Sequence, residues 1–142
     1  MIKPLRLLLA LLIVGSLTLN AAAGAMASGI LLNGGFEELD PSAKAESWFM
    51  DFWNTGSKLA LTDQKVRTGN YAAFLQSNKA NDIRLIQTVP VEPDTVYRFS
   101  GWVATEKVPQ GGVGASLCVL GGFVHSGELT GDNDWTPVEV VF

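Results

Sequence analysis

VYRFSGWV, residues 96–103, alternates as a β-strand does. Successive side chains on a strand point to opposite faces. Tyr97, Phe99, Gly101 and Val103 therefore share one face, and Arg98, Ser100 and Trp102 share the other. The first set suits a core. The second combines an aromatic plane, a guanidinium fork and a hydroxyl. Just upstream, Glu92-Pro93-Asp94-Thr95 forms a tight corner, because Pro presets φ and Asp bonds back to the backbone.

The same rhythm runs through the rest of the chain. No long stretch places apolar residues at i, i+3, i+4 and i+7. Short β-branched and aromatic runs instead alternate with Gly, Pro, Asn and Asp. Strands are predicted at 29–32, 58–62, 71–77, 82–89, 95–105, 114–120 and 136–142. Thr68-Gly69-Asn70, Gly111-Gly112 and Gly121-Gly122 supply the bends between them. Short strands at this spacing read as an all-β, antiparallel sandwich. Val138-Glu139-Val140-Val141-Phe142 ends the sequence within a strand pattern. The expectation is a final strand at a sheet edge, or a sandwich lacking its last strands.

The N-terminus reads as a secretory leader. Lys3 and Arg6 precede the apolar run Leu7–Leu19, and Ala25-Met26-Ala27 is a small-residue cleavage pattern. The run is shorter than the ~20 residues a membrane helix needs. Residues 1–27 are expected to be removed, leaving 28–142 as one domain, exported to the extracellular space or periplasm and not inserted in a membrane. Removal takes away two basic residues and no acidic ones, so the formal charge moves from −4 to −6. An acidic surface argues against nucleic acid, whose affinity rests on Lys and Arg neutralising phosphates. Cys118 is the single cysteine, so no intrachain disulfide forms, and it reads as a small hydrophobe on a strand.

Several stretches, taken in order, resemble a known family. They are "LLNGGFEE" (31–38), "ESWF" (46–49), "VRTGNYAAFL" (66–75), "LIQTVPVEPDTVYRFSGWV" (85–103) and "DWTPVEVVF" (134–142). Together they are similar to the carbohydrate-binding modules of families four, nine, sixteen and twenty-two. The resemblance implies a galactose-binding-domain-like jelly roll without catalytic machinery. It implies polysaccharide or oligosaccharide bound along a concave sheet face, and a structural calcium away from that face. Such modules accompany further domains, including those of secreted glycoside hydrolases. The family normally continues for two more strands after its "W-x-P-V" strand, and the last of them contains Asp.

The resemblance also gives a reading of Asn33-Gly34-Gly35-Phe36-Glu37. The Gly35 carbonyl and the Glu37 carboxylate would bind calcium, which takes six to eight hard oxygens. The bland alternative is a turn with Glu37 in solvent. For the sugar, flat apolar faces must stack on pyranose rings beside planar hydrogen-bonding groups. Trp102 and Arg98 are the candidates on the predicted strand, and Trp53 is the candidate in the dense aromatic segment Trp48–Trp53. Arg84 and Gln87 fall on opposite faces of their strand, so at most one reaches a cleft. Asp40, Asp63 and Asp132-Asn133-Asp134 read as solvated turns. His125 and Cys118 are separated by the Gly121-Gly122 turn, and no nucleophile–base pair is evident. The expected function is non-catalytic sugar binding. The alternative is a structural or adhesive extracellular β-sandwich. If the leader reading is right, N-terminal sequencing of exported protein finds Ser28 first; an intact Met1 on membrane-bound protein would identify an anchor.

Overall fold

The computed structural model describes residues 4–10, 19–20, 26–27, 30–121 and 124–142. Its strands are β1 (Pro4–Ala10), β2 (Leu19–Asn20), β3 (Met26–Ala27), β4 (Phe49–Phe52), β5 (Ser57–Thr62), β6 (Ala72–Ser77), β7 (Ile83–Pro90), β8 (Arg98–Val108), β9 (Ser116–Leu120), β10 (Val124–His125) and β11 (Gly131–Val141). The protein is all-β, with no helix among the described residues. Consequently none of those residues forms a helix long and apolar enough to cross a membrane.

All pairings are antiparallel. A five-stranded sheet runs β10-β9-β1-β7-β4, and two-stranded ribbons join β11 to β8, β5 to β6 and β2 to β3. One core gathers Leu85, Leu117 and Val119 from the large sheet, Phe99, Val103, Val138 and Val140 from the β8–β11 ribbon, and Ala73 from β6. This arrangement is compatible with a β-sandwich. The β8 alternation is as the sequence demands. Tyr97, Phe99, Gly101 and Val103 are buried, whereas Arg98, Ser100 and Trp102 are half-buried. The corner before β8 is pinned by the Glu92 N–H, which donates to the Tyr97 hydroxyl at 2.8 Å. Tyr97 also stacks on Phe142, with ring centroids 5.7 Å apart.

Several boundaries differ from the sequence reading. Residues 30–32 form no strand; Gly29 lies outside the described residues. The Gln87 side chain takes the role of a strand neighbour there. Its amide accepts from Leu32 N–H and donates to Leu32 C=O, both at 2.8 Å, and it reaches the Ser47 carbonyl at 3.3 Å. A side-chain amide has the donor and acceptor of a peptide group, so this segment is held to the large sheet without extending it. β4 arises in the aromatic segment read as loop, where Phe49 to Phe52 pair with Ile86 to Ile83. β11 begins at Gly131 rather than 136, because Asn133 donates to Thr105 Oγ1 and to the Thr130 carbonyl across two register shifts.

The largest difference concerns the N-terminus. Pro4–Ala10, read as part of a leader, lies between β7 and β9 as the central strand of the large sheet. A short apolar run serves equally as part of an export signal or as a strand. The stretches 11–18 and 21–25 and the expected cleavage point after Ala27 lie outside the described residues, as does Gly122 of the Gly121-Gly122 bend.

Gln87 gives a direct test of this packing. It is 3% exposed and fully engaged. Gln87→Leu keeps the volume but strands the Leu32 N–H and C=O. The expected loss is ~1–2 kcal/mol in a denaturant titration, whereas Thr88→Val on the exposed face of the same strand should change little.

Candidate functional site

The NGGFE loop is built around Asn33. Its side-chain amide donates to the carbonyls of Glu38 (2.7 Å) and Glu46 (3.0 Å), and its Oδ1 accepts from Glu38 N–H at 3.0 Å. Its backbone carbonyl accepts from Phe36 N–H at 3.1 Å and from the Trp48 indole at 2.9 Å. Asn33 and Phe36 take the left-handed conformations, with φ of 48° and 62°. Gly35 does not. A bulky residue at positive φ is strained. Phe36 remains there because its ring is fully buried and lies 5.3 Å from Trp48, centroid to centroid.

Glu37 then reaches across to the Gly69-Asn70-Tyr71 turn. Its Oε1 accepts from Asn70 N–H (2.9 Å) and Tyr71 N–H (3.2 Å), and its Oε2 accepts from the Asn70 side chain (2.8 Å). Gly69 has φ of 78°, and a Cβ there would collide with Glu37 Oε1. Thus Glu37 is a latch between two loops. The groups that surround it are N–H donors, whereas calcium requires oxygens. Among the described residues no group of three or more His, Cys, Asp or Glu side chains converges on one point.

The sugar candidates fall on two different sheets. Trp102 and Arg98 are on β8, opposite Pro137 and Val141 of β11. The Arg67 guanidinium lies over the Trp102 ring, 3.6 Å from its centroid, in a cation–π stack. Arg98 faces Glu139, with Nε 3.8 Å from a carboxylate oxygen. Trp53 instead follows β4, at the edge of the large sheet. It is 77% exposed, and its backbone N–H donates to the Asp82 carbonyl at 3.0 Å. The neighbouring turn is fixed by Asn54 N–H donating to Asn81 Oδ1 and Asn81 Nδ2 donating to the Asn54 carbonyl, both at 2.8 Å.

Trp53 has companions that the sequence reading did not select. Phe49 is 66% exposed and pairs with Ile86, and Asp51 pairs with Arg84, on the outward row of the sheet. Arg84 bonds Asp82 and lies 3.7 Å from Asp51. The hydrogen bond to Asp82 raises the Arg84 pKa further, so the group stays charged. Gln87 is spent on the core, which leaves Arg84 as the charged group this strand presents outward, with Thr88 exposed further along the same row. The missed signal was the alternation Phe49, Asp51 against Met50, Phe52, too short to separate from a loop by periodicity.

On the same outward row, Cys118 of β9 stands directly opposite His125 of β10. The turn that separates them in sequence brings them together in space. Burial pushes the Cys118 thiol pKa up, the reverse of what activates a nucleophile. His125 Nδ1 lies 2.9 Å from the Ser126 carbonyl. Asp40 closes a turn by accepting from Ser42 and Lys44 N–H, whereas Asp132-Asn133-Asp134, expected as turns, lie in β11, where Asp132 accepts from Lys107 N–H of β8. Comparison with protein-family profiles, with curated proteins and with solved structures finds no match.

The latch has a pH signature. Hydrogen bonds from Asn70, backbone first, hold the Glu37 carboxyl below its ordinary value of 4.5. A depressed folded-state pKa gives stability that is present above about pH 4.5 and lost as pH falls through the folded value. Glu37→Gln should lower the melting temperature at pH 7 and make the acid limb of the stability curve shallower. Gly69→Ala should lower it at pH 7 as well. A mutant curve parallel to wild type below pH 4.5 would remove Glu37 from the acid transition.

Proposed function

We propose that the chain is a secreted, non-catalytic carbohydrate-binding module with a jelly-roll sandwich fold. It takes polysaccharide against the β4 edge of the five-stranded sheet. The observation that supports this reading is the open indole of Trp53, whose backbone N–H bonds the Asp82 carbonyl, at the end of the strand that carries exposed Phe49 and Asp51 opposite Arg84. A pyranose needs an uncovered ring to stack on and charged or planar groups to meet its hydroxyls. Trp53 is the principal platform. Arg84 and Asp51 are the hydrogen-bonding groups, already oriented by each other. Trp102 and Arg98 are a secondary surface that opens only if Arg67 swings away.

Calcium bound through Glu37 and the Gly35 carbonyl is an accessory part of this proposal. It would compete with the Asn70 and Tyr71 N–H groups for the carboxylate and would need further oxygen ligands. Melting with calcium and with chelator tests it: a rise in melting temperature lost in Glu37→Gln supports the site, and equal melting temperatures remove it.

A second reading, a structural or adhesive β-sandwich, draws on one specific observation. The Arg67–Trp102 stack and the Arg98–Glu139 pair occupy the aromatic face of β8 with the protein's own side chains. Affinity electrophoresis against glucans, xylans and mannans separates the two. Sugar binding predicts retardation by at least one of them. Trp53→Ala then weakens it roughly thirtyfold or more, as for an aromatic anchor worth ~2 kcal/mol, and Trp102→Ala has a smaller effect. No retardation by any glycan favours the adhesive reading.

A further inference from the structure

The loop between β5 and β6 is held at its two ends and makes a third contact from its middle. At the first end Gln64 N–H donates to Thr62 Oγ1 at 3.1 Å. At the second the Glu37 carboxylate accepts from Asn70 N–H at 2.9 Å, from Tyr71 N–H at 3.2 Å and from the Asn70 side chain at 2.8 Å. Between these ends stands Arg67, exposed, with its guanidinium 3.6 Å from the centroid of the Trp102 ring. Among the described residues no carboxylate lies within ion-pair distance of Arg67. Its placement therefore comes from the loop and from the ring.

The ring alone is a weak anchor. An exposed cation–π contact favours the stacked state by roughly two- to fivefold, and ordering a long arginine side chain offsets a gain of that size. The stack persists where the backbone already delivers the guanidinium to the ring. Asn70, the residue that Glu37 grips most fully, lies three positions after Arg67. Between them Gly69 packs so closely on Glu37 that a Cβ there would collide with Oε1. Trp102 is fixed on its own side by β8, opposite Pro137 of β11. A guanidinium 3.6 Å from the centroid is in contact with the ring face, so no second flat group can share that face while Arg67 remains.

We infer that Arg67 is an internal occupant of the Trp102 ring, held in place by the Glu37 latch, so that the β8 surface is closed in the resting protein and opens when the β5–β6 loop is released. Glu37 bonds the loop and not Trp102; it is a positioning residue that acts through Asn70 and Arg67. The closure does not rest on the sugar reading, whereas a pyranose as the group that the opened ring receives does. For such a ligand, apparent affinity falls by the fraction of molecules in which the ring is open. Arg67→Ala should then strengthen binding on this face by roughly two- to fivefold. Truncating an arginine that itself contacts the sugar would weaken it.

The test uses the full chain labelled with fluorotryptophan, at pH 7. Its four tryptophans give four fluorine signals. Trp102→Phe identifies the one that matters, and broadening by a dissolved neutral nitroxide reads how open each ring is. Arg67→Ala is expected to raise the broadening of the Trp102 signal. Glu37→Gln leaves one acceptor oxygen where the carboxylate has two, and it should raise the broadening as well, with the Trp48 signal unshifted because the NGGFE loop stays folded. If Trp48 shifts, Asn70→Ala decides, since it loosens the latch from the loop side and leaves that segment alone. The double variant Glu37→Gln/Arg67→Ala should be no more open than Arg67→Ala, because Glu37 acts through Arg67. A Trp102 signal broadened equally in wild type and Arg67→Ala overturns the inference. So does one unchanged by both Glu37→Gln and Asn70→Ala, or effects that simply add in the double variant. A ring that opens as expected in a protein that no glycan retards supports the closure and removes only the sugar reading.

Discussion

A single buried amide ties the front of the molecule to its core. Gln87 lies on the inward face of β7 between buried Leu85 and Val89, and a polar group there is costly unless paired. It is paired on both ends, to the N–H and the C=O of Leu32. That contact fixes where Asn33 sits. Asn33 in turn sets the loop that delivers Phe36 to the core and offers its carbonyl to the Trp48 indole. Losing the amide would detach the loop, and with it the ring that is buried most completely.

The loop shows how local strain is held. A phenylalanine at positive φ costs of order 1–3 kcal/mol. Burying the ring returns ~1.5–3 kcal/mol, and the Phe36 N–H retains a partner in the Asn33 carbonyl. The two effects are comparable, so the conformation is sustained by packing against Trp48 rather than by intrinsic preference. Beyond Phe36, Glu37 carries the constraint outward to the Gly69–Tyr71 turn. One short segment thereby connects the core, the large sheet and the loop before β6.

The two outward faces differ in what they leave available. On the β8–β11 ribbon, Arg67 covers Trp102 and Glu139 faces Arg98. The Arg98–Glu139 pair lies near the surface, where ion pairs contribute little to stability. At the β4 edge the aromatic rings of Trp53 and Phe49 stay in water, while Arg84 is drawn toward two carboxylates. Exposed aromatics grouped with oriented polar side chains are what a recognition surface needs; scattered ones are not.

By itself the sequence determined the fold class and the facing of its longest strand. Alternation in Val96–Val103 settled which residues enter the core, because a period of two leaves no other assignment. The Pro-Asp corner and the glycine turns likewise placed β5, β6, β7 and β9 to within a few residues. Tertiary structure decided what depends on contacts distant in sequence. That Glu37 bonds the Asn70 amide depends on a loop more than thirty residues away. Which tryptophan stays open turns on where Arg67 folds back, and the pairing of Phe49–Phe52 turns on β7. The apolar N-terminal run is the clearest case: its sequence reads as an export signal, whereas Pro4–Ala10 pairs between β7 and β9, a placement that no local pattern contains.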